Sequence, residues 1–203
     1  MKKRLSSDDI DRMKNQAFSF SHDKLDYDIH KCFPFVKNII YNNNTYVDLR
    51  YCCGTDHGSY FRQSHHSLIN SMNRMDHNLY CLSHSADYYF SHEKKDHISY
   101  AHIDNKYYII MGNHRTIIAK HLFAYLKVKP HLYGVEVYEH EIDKKRMYYF
   151  YALRKILKKF YVGKWKSHIK SNAPSRLLGE LPFQYCYSTN RFVYYLFLKP
   201  SIC

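Results

Sequence analysis

A histidine and an arginine stand side by side where a predicted strand gives way to a predicted helix. His114 and Arg115 follow Gly112 and Asn113. Glycine lets the backbone turn sharply and lets a ligand approach closely, and asparagine is a good helix N-cap. The first helical turn offers free backbone N–H groups and a partial positive charge, which favour an anion. The sequence therefore predicts a phosphate-binding joint formed by Gly112, Asn113, His114, Arg115 and Thr116.

Extended and helical segments surround this joint. Before it, two short extended runs flank Asp104 and Asn105, residue types that tolerate the left-handed backbone of tight hairpins. After it, apolar residues recur with helical spacing over residues 117–126. A strand is predicted at residues 133–137, where valines that face the core alternate with polar side chains. The alternative interpretation is that the cations of the joint are solvated side chains at a helix start.

The joint and its flanking elements resemble the core of the ParB/sulfiredoxin superfamily. The resemblance rests on residues 104–115, the helix after them and residues 133–137. ParB binds nucleotide phosphates with a Gly-x-x-Arg box, and sulfiredoxin holds ATP phosphates with a Gly-Cys-His-Arg box. Asn113 stands where the sulfiredoxin cysteine would be, which argues against sulfiredoxin chemistry. The resemblance implies an α+β fold with a mixed sheet, and phosphate binding by Gly112, His114 and Arg115.

A polar segment at residues 54–66 carries further groups that bind or move protons. In ParB-like proteins a loop with Gln and Arg precedes a helix here and faces the phosphate box, and residues 61–64 resemble that loop loosely. Cationic clusters around a phosphate suit phosphoryl chemistry, whose main demand is the stabilisation of developing charge. The alternative is a surface loop without catalytic histidines. The predicted catalytic residues, gathered in one cleft, are His114, Arg115, Arg62, His65 and His66.

The composition points to a polyanionic partner. The chain has 203 residues and a formal net charge of +13, which favours nucleic acid, although an anionic membrane surface fits the charge equally well. No run of eighteen apolar residues predicts a transmembrane helix, and the basic N-terminus lacks the apolar part of a secretory signal. Six cysteines without a Cys-x-x-Cys pair favour a reducing compartment. We therefore expect action in the cytoplasm, with export by a non-classical route left open.

A basic segment follows the core. Residues 144–162 predict a helix with a broad apolar stripe and a basic face. Basic residues interleaved with an aromatic suit contacts to a phosphate backbone and stacking on bases, whereas a solvated helix face is the alternative. Residues 183–187 and 191–198 predict a C-terminal hairpin. The predicted nucleic-acid-binding residues are Arg154, Lys155, Lys158, Lys159, Lys164, Trp165 and Lys166.

The remaining segments complete one predicted domain. A short helix is predicted from Ser6 to about residue 17, and three asparagines at 42–44 predict a turn between two strands. Residues 75–95 show no clear period and predict irregular structure. The predicted organisation is a lead-in at 1–30, a ParB/sulfiredoxin-like core at 31–143, and a basic helix with a hairpin, packed on the core, at 144–203.

These features favour a nuclease that cleaves phosphodiester bonds in DNA. Arg115 would stabilise charge, and His114 or a histidine of residues 57–66 would act as general acid or base, because imidazole titrates near neutral pH. The resembled superfamily contains nucleases, including plasmid-borne and toxin-like members, and the toxin interpretation implies a cognate immunity or regulatory protein. Candidate cofactors are Mg²⁺ or another divalent metal, with Glu136 as a metal ligand, and a nucleoside triphosphate.

Two other functions are compatible with the same residues. The first is a nucleotide-dependent DNA-binding module like ParB, although no helix-turn-helix segment is evident after the joint. The second is a kinase, because the superfamily includes a serine kinase with a similar Gly-x-His-Arg box. A kinase needs a carboxylate base, for which Asp104 and Glu136 are candidates. The charge of +13 is harder to explain for a small substrate.

Overall fold

The computed structural model describes residues 4–16, 24–25 and 29–160, without the side chains of residues 30, 154 and 156–160. The described helices are α1 (Ser7–Asn15), α2 (Ile29–Cys32), α3 (His65–Ser71), α4 (Met75–His84), α5 (Asn113–Leu126) and α6 (Lys144–Phe160). The described strands are β1 (Val36–Asp48), β2 (Cys52–Thr55), β3 (Ser99–Ile103), β4 (Lys106–Met111) and β5 (His131–Ile142). Short 3₁₀ turns are formed by Phe33–Phe35, Leu49–Tyr51 and Ala86–Tyr89.

The five strands form one mixed sheet in the order β1-β5-β3-β4-β2. Strand β2 runs parallel to β4, β4 antiparallel to β3, and β3 parallel to β5. The predicted α+β class with a mixed sheet is therefore confirmed. None of the helices in the described ranges is both long enough and apolar enough to cross a membrane.

The predicted hairpin before the joint is confirmed. Ile103 pairs with Lys106, so only Asp104 and Asn105 connect β3 to β4. Both turn residues have positive φ values, 48° and 62°. A two-residue turn with two left-handed residues matches the twist of its strands, which explains why Asp and Asn stand there. This turn fixes the register that delivers β4 to the joint.

The main core lies between the sheet and α5. Ile117, Ile118 and Leu122 of α5 are completely buried, and Val135 and Val137 of β5 face the same core, as predicted. Burial of this apolar stripe is what holds α5 against the strands. The predicted first helix also packs here: it begins after the Ser6 cap and ends at Asn15.

Two structural predictions from the sequence are wrong. Residues 42–44 do not turn, because β1 continues through them and the Asn42 side chain donates to Glu139 Oε1 of β5 at 3.0 Å. Asparagine has a low intrinsic preference for strands, but here the neighbouring strand β5 supplies a hydrogen-bond partner for its side chain. Residues 75–84 form α4 rather than irregular structure, because Met75, Leu79 and Leu82 are buried at helical spacing.

Contacts divide the chain into two compact units. One comprises residues 1–30 and 38–141, and the other comprises residues 31–37 and 142–203. In the second unit, the Phe35 ring lies 5.3 Å from the Phe150 ring of α6. The Asp143 side chain accepts from the Arg146 backbone N–H at 2.9 Å and so caps α6, whose start agrees with the predicted helix. The predicted C-terminal hairpin lies outside the described residues.

Candidate functional site

The joint between β4 and α5 is built around a left-handed glycine. Gly112 has a φ of 87°, and a Cβ there would lie 3.0 Å from the His97 carbonyl oxygen. Both the backbone conformation and the close approach of residues 97–98 therefore require glycine. The prediction of Asn113 as the helix cap is wrong, because Gly112 takes the cap position and Asn113 begins the helix. The Asn113 side chain is buried and accepts a hydrogen bond from Thr55 Oγ1 at 2.8 Å.

The Arg115 guanidinium is engaged by the fold. Its Nη1 donates to the Tyr88 hydroxyl at 3.0 Å and to the Asp96 carbonyl at 2.8 Å, and its Nη2 donates to the His97 carbonyl at 2.9 Å. His97 has a left-handed backbone, with a φ of 59°. Arg115 therefore fastens the segment that packs on Gly112, and we assign it a positioning role for the joint.

Replacing Arg115 by Ala is expected to lower the free energy of unfolding by about 2 kcal/mol, because several charge-assisted hydrogen bonds to the segment 96–97 are lost. Arg115→Lys is expected to keep little of this stability, since one ammonium group cannot replace the several N–H donors of the planar guanidinium. Urea denaturation measures the loss, and hydrogen exchange at residues 96–98 locates it. Arg50→Ala, which breaks an exposed pair with Asp48, is the matched control and should cost less than about 1 kcal/mol. Equal losses in the two variants would contradict the assignment.

Two histidines meet one tyrosine beside the joint. The His57 ring stacks on the Tyr60 ring with a centroid distance of 4.2 Å, and the Tyr60 ring meets the His114 ring edge-on at 6.3 Å. His57 is exposed, whereas Tyr60 and His114 are half-buried. The loop after β2 therefore places a second imidazole close to the start of α5.

Hydrogen bonds to the backbone set the proton positions on these two rings. His114 Nε2 lies 2.6 Å from the Asn73 carbonyl oxygen, which can only accept, so Nε2 carries the proton and Nδ1 is the acceptor. His57 Nδ1 accepts from the Ser59 N–H at 3.3 Å, so its proton is on Nε2. The two histidines thus have opposite tautomers, and among the described residues His114 Nδ1 and His57 Nε2 have no hydrogen-bond partner.

A carboxyl group stands directly before His57 in the chain. Asp56 directly follows β2, and its backbone N–H donates to the Ile109 carbonyl of β4 at 3.0 Å. Burial raises the pKa of the Asp56 carboxyl to about 6, against a smaller opposing effect of its own backbone N–H. A carboxyl with a pKa just below neutral can both hold and release a proton at physiological pH. The end of β2, which runs parallel to β4, is thus followed directly by a carboxyl group of raised pKa.

The histidines predicted to face the joint lie elsewhere. His65 is completely buried, with Nε2 3.1 Å from the Lys120 Nζ. His66 is exposed, and its Nδ1 lies 3.1 Å from the Lys14 carbonyl of α1. The reason is that α3 starts at His65, after the Ser64 cap, and the helix turns these two side chains to different surroundings. Among these loop histidines it is His57, rather than His65 or His66, whose ring shares the Tyr60 ring as a neighbour with His114.

Other predicted site residues also have partners in the fold. Thr116 is completely buried, with Oγ1 2.7 Å from the Tyr100 hydroxyl, so its hydroxyl belongs to the core. Arg62 is exposed and has left-handed backbone, and its guanidinium lies 4.5 Å from the Phe61 ring centroid. Glu136 pairs with Lys94 Nζ at 3.5 Å, and the described residues contain no group of three or more His, Cys, Asp or Glu arranged to hold a metal.

The basic face predicted for the last helix is described only in part. Lys155 of α6 is exposed. Three more residues of this predicted face belong to α6, but their side chains are not among the described ones, namely Arg154, Lys158 and Lys159. The last three lie outside the described residues altogether, namely Lys164, Trp165 and Lys166.

Sequence reasoning gave Asp56 no role, and it included His57 only as one histidine of residues 57–66, below His65 and His66. The available signal was their position, two polar residues directly after a short apolar strand and before a glycine. In comparisons with known proteins, the chain matches no protein-family model, no curated protein and no solved structure. The ParB/sulfiredoxin resemblance therefore stays a prediction, and the function is proposed from the geometry of the site.

Proposed function

We propose that the protein cleaves phosphodiester bonds in nucleic acid, with Asp56, His57 and His114 as its catalytic residues. The observation that supports this most is that two imidazoles of opposite tautomer both meet the Tyr60 ring beside one helix start, with a carboxyl of raised pKa directly before His57 in the chain. Cleavage of a phosphodiester needs a base for the nucleophile, an acid for the leaving oxygen and a donor to the phosphoryl oxygens. These three residues supply one group for each task.

The hydrogen bonds of the two histidines and the burial of Asp56 support one division of the base, donor and acid roles. His114 Nδ1 is the base, because the Asn73 carbonyl accepts from Nε2–H and Nδ1 is therefore the nitrogen that can take a proton. His57 is the donor, because its Nδ1 accepts from the Ser59 N–H and its Nε2–H is left for a phosphoryl oxygen. Asp56 is the acid, because burial favours its protonated form.

Substrate binding would use the start of α5 and the charge of the chain. The first backbone N–H groups of a helix have no partner within the helix, and they favour a phosphate together with the dipole. The net charge of +13 adds long-range attraction for a polyanion, and DNA is the substrate expected from the resemblance. A divalent metal bound with the substrate phosphates is part of the same expectation.

The test is incubation of the full chain with plasmid DNA and with RNA, in Mg²⁺ and in EDTA, read on a gel. His114→Ala and Asp56→Asn are each expected to slow cleavage by about 10²- to 10⁴-fold. The matched control is His66→Ala, which removes an exposed histidine on α3 and should leave the rate unchanged. Intact nucleic acid in every lane with a shifted mobility would reject the enzyme and favour the nucleotide-dependent binding module.

A further inference from the structure

The catalytic groups of the proposed site suit a nucleophile that the substrate itself carries. The site offers an acceptor at His114 Nδ1 and a donor at His57 Nε2, on two rings that both meet Tyr60, and Asp56 directly precedes His57 at the end of β2. In RNA, the 2′-hydroxyl lies next to the phosphorus and needs only the loss of a proton. In DNA, a water must be captured and aligned first. Well-oriented intramolecular attack carries an effective molarity of about 10⁵ to 10⁸ M, so the same three groups accelerate RNA cleavage far more.

We propose that the substrate is single-stranded RNA and that its 2′-hydroxyl attacks the adjacent phosphate. This inference rests on the proposed function and names its substrate class. His114 Nδ1 takes the proton of the 2′-hydroxyl while the 2′-oxygen bonds to phosphorus. The bond from phosphorus to the 5′-oxygen breaks, and Asp56 gives that oxygen its proton. The products are a 2′,3′-cyclic phosphate and a 5′-hydroxyl, so the step consumes no water and needs no oxidant or reductant.

The surface around the catalytic groups suits an unpaired base. His57 is exposed, and its ring already stacks on Tyr60 with an interplanar angle of 17°. A little further along the loop, the exposed Arg62 guanidinium lies over the Phe61 ring. Flat aromatic and guanidinium surfaces are what proteins use to hold the splayed bases of single-stranded RNA. A duplex keeps its bases stacked inside, so these surfaces favour a single strand.

The decisive experiment compares three end-labelled oligonucleotides of one sequence, incubated with the full chain in EDTA. The first is all DNA, the second has one ribonucleotide, and the third has a 2′-O-methyl group on that nucleotide. We expect cleavage of the second strand only, directly 3′ of the ribonucleotide, with a 2′,3′-cyclic phosphate and a 5′-hydroxyl as ends. His114→Ala should slow this cleavage by about 10²-fold or more, and His66→Ala should not.

Each other outcome rejects a defined part of the inference. Equal cleavage of the all-DNA strand, in EDTA or after Mg²⁺ is added, would overturn the RNA assignment and leave the proposed phosphodiesterase standing. Cleavage of the 2′-O-methyl strand would overturn the 2′-hydroxyl as nucleophile. If no strand is cut under any condition, both the inference and the proposed function fail. A wild-type rate in His114→Ala would remove that histidine from the mechanism.

Discussion

Asp56→Asn is expected to slow cleavage by about 10²- to 10⁴-fold and at the same time to stabilise the fold at neutral pH. The half-buried Asp56 carboxyl has its pKa raised from 3.8 to about 6. A carboxyl whose pKa is higher in the folded state stabilises that state fully below its ordinary pKa. That contribution is lost as the pH rises through about 6. Above pH 6 the native protein must hold a partly desolvated carboxylate, and a neutral amide removes this cost.

The expected gain is about 1 to 3 kcal/mol in the free energy of unfolding at pH 7.5, since one pKa unit corresponds to about 1.4 kcal/mol. The gain should largely disappear near pH 3, below the ordinary pKa of 3.8, where the wild-type carboxyl is mostly protonated in both states. Urea denaturation at the two pH values measures it. The control is Asp104→Asn, in the exposed hairpin turn, where asparagine suits the left-handed backbone equally well. A loss of stability in Asp56→Asn at pH 7.5 would show that the carboxylate serves the fold.

The same residue predicts the pH dependence of cleavage. If Asp56 donates the proton to the leaving oxygen, wild-type activity must fall as the pH rises above about 6, because the acid form is depleted. Asp56→Asn should lose this decline together with most of the rate. A rate profile from pH 5 to 8 checks both points. A wild-type rate that rises steadily through this range would assign Asp56 the role of a base.

Local signals in the sequence were enough for the elements that form the joint. The Asp104-Asn105 turn, the spacing of apolar residues in α5 and the alternating valines of β5 each depend on neighbours within one element. The predicted turn at 42–44 is wrong, because a run of asparagines favours a turn only when no neighbouring strand pairs with these residues. Here Glu139, 97 residues away, supplies the partner of Asn42. The pattern of residues around Asn42 does not indicate a pairing with a strand so far away in the chain.

The candidate site depended on contacts that the sequence does not encode locally. A glycine, histidine and arginine after a strand predicted the place of the site, but not how the arginine is used. Arg115 donates to carbonyls 18 and 19 positions earlier in the chain, which only the folded structure brings there. Asp56 and His57 reach the joint because Thr55 bonds to Asn113 across 58 positions. Residue types thus predicted the place of the candidate site, whereas tertiary contacts decide which side chains lie beside it.

Gly134→Ala is expected to cause the largest loss of stability of any single substitution considered for this protein. Gly134 lies within β5 with a φ of 73°, and a Cβ there would lie 1.9 Å from the carbonyl oxygen of Glu93. Glycine inside a strand often marks a close backbone approach, and here residues 93–94 cross directly over it. A methyl group must push that backbone away, because no flexible side chain can yield.

The displaced backbone carries a buried cation. Lys95 is almost completely buried, and its Nζ donates to the carbonyls of Ser91 at 2.7 Å and Tyr133 at 2.8 Å. Its backbone N–H also donates to the Gly134 carbonyl at 2.6 Å. Moving this segment breaks hydrogen bonds to a buried charge. Alanine at position 134 must also adopt a left-handed backbone, which costs further free energy. We expect a loss of about 4 kcal/mol or more in the free energy of unfolding, measured by urea denaturation.

Gly58→Ala is the matched control, because nothing lies within 4 Å of a Cβ placed there. It should change stability by less than about 1 kcal/mol. A similarly small effect of Gly134→Ala would show that residues 93–94 do not need to lie so close to β5.

The crossing at Gly134 also bears on the site, because the same segment continues into residues 96–98. Gly134 and Lys95 hold its first part, and Arg115 and Gly112 hold its second part. If the segment acts as one unit, Gly134→Ala and Arg115→Lys should not be additive. Once one contact to the segment is lost, the segment is less ordered and the other contact stabilises the fold less. The loss in the free energy of unfolding of the double variant should therefore be smaller than the sum of the two single losses by at least about 1 kcal/mol. Additive losses would instead mean that the joint keeps its geometry without the crossing, and that Arg115 alone positions residues 96–97 against the start of α5.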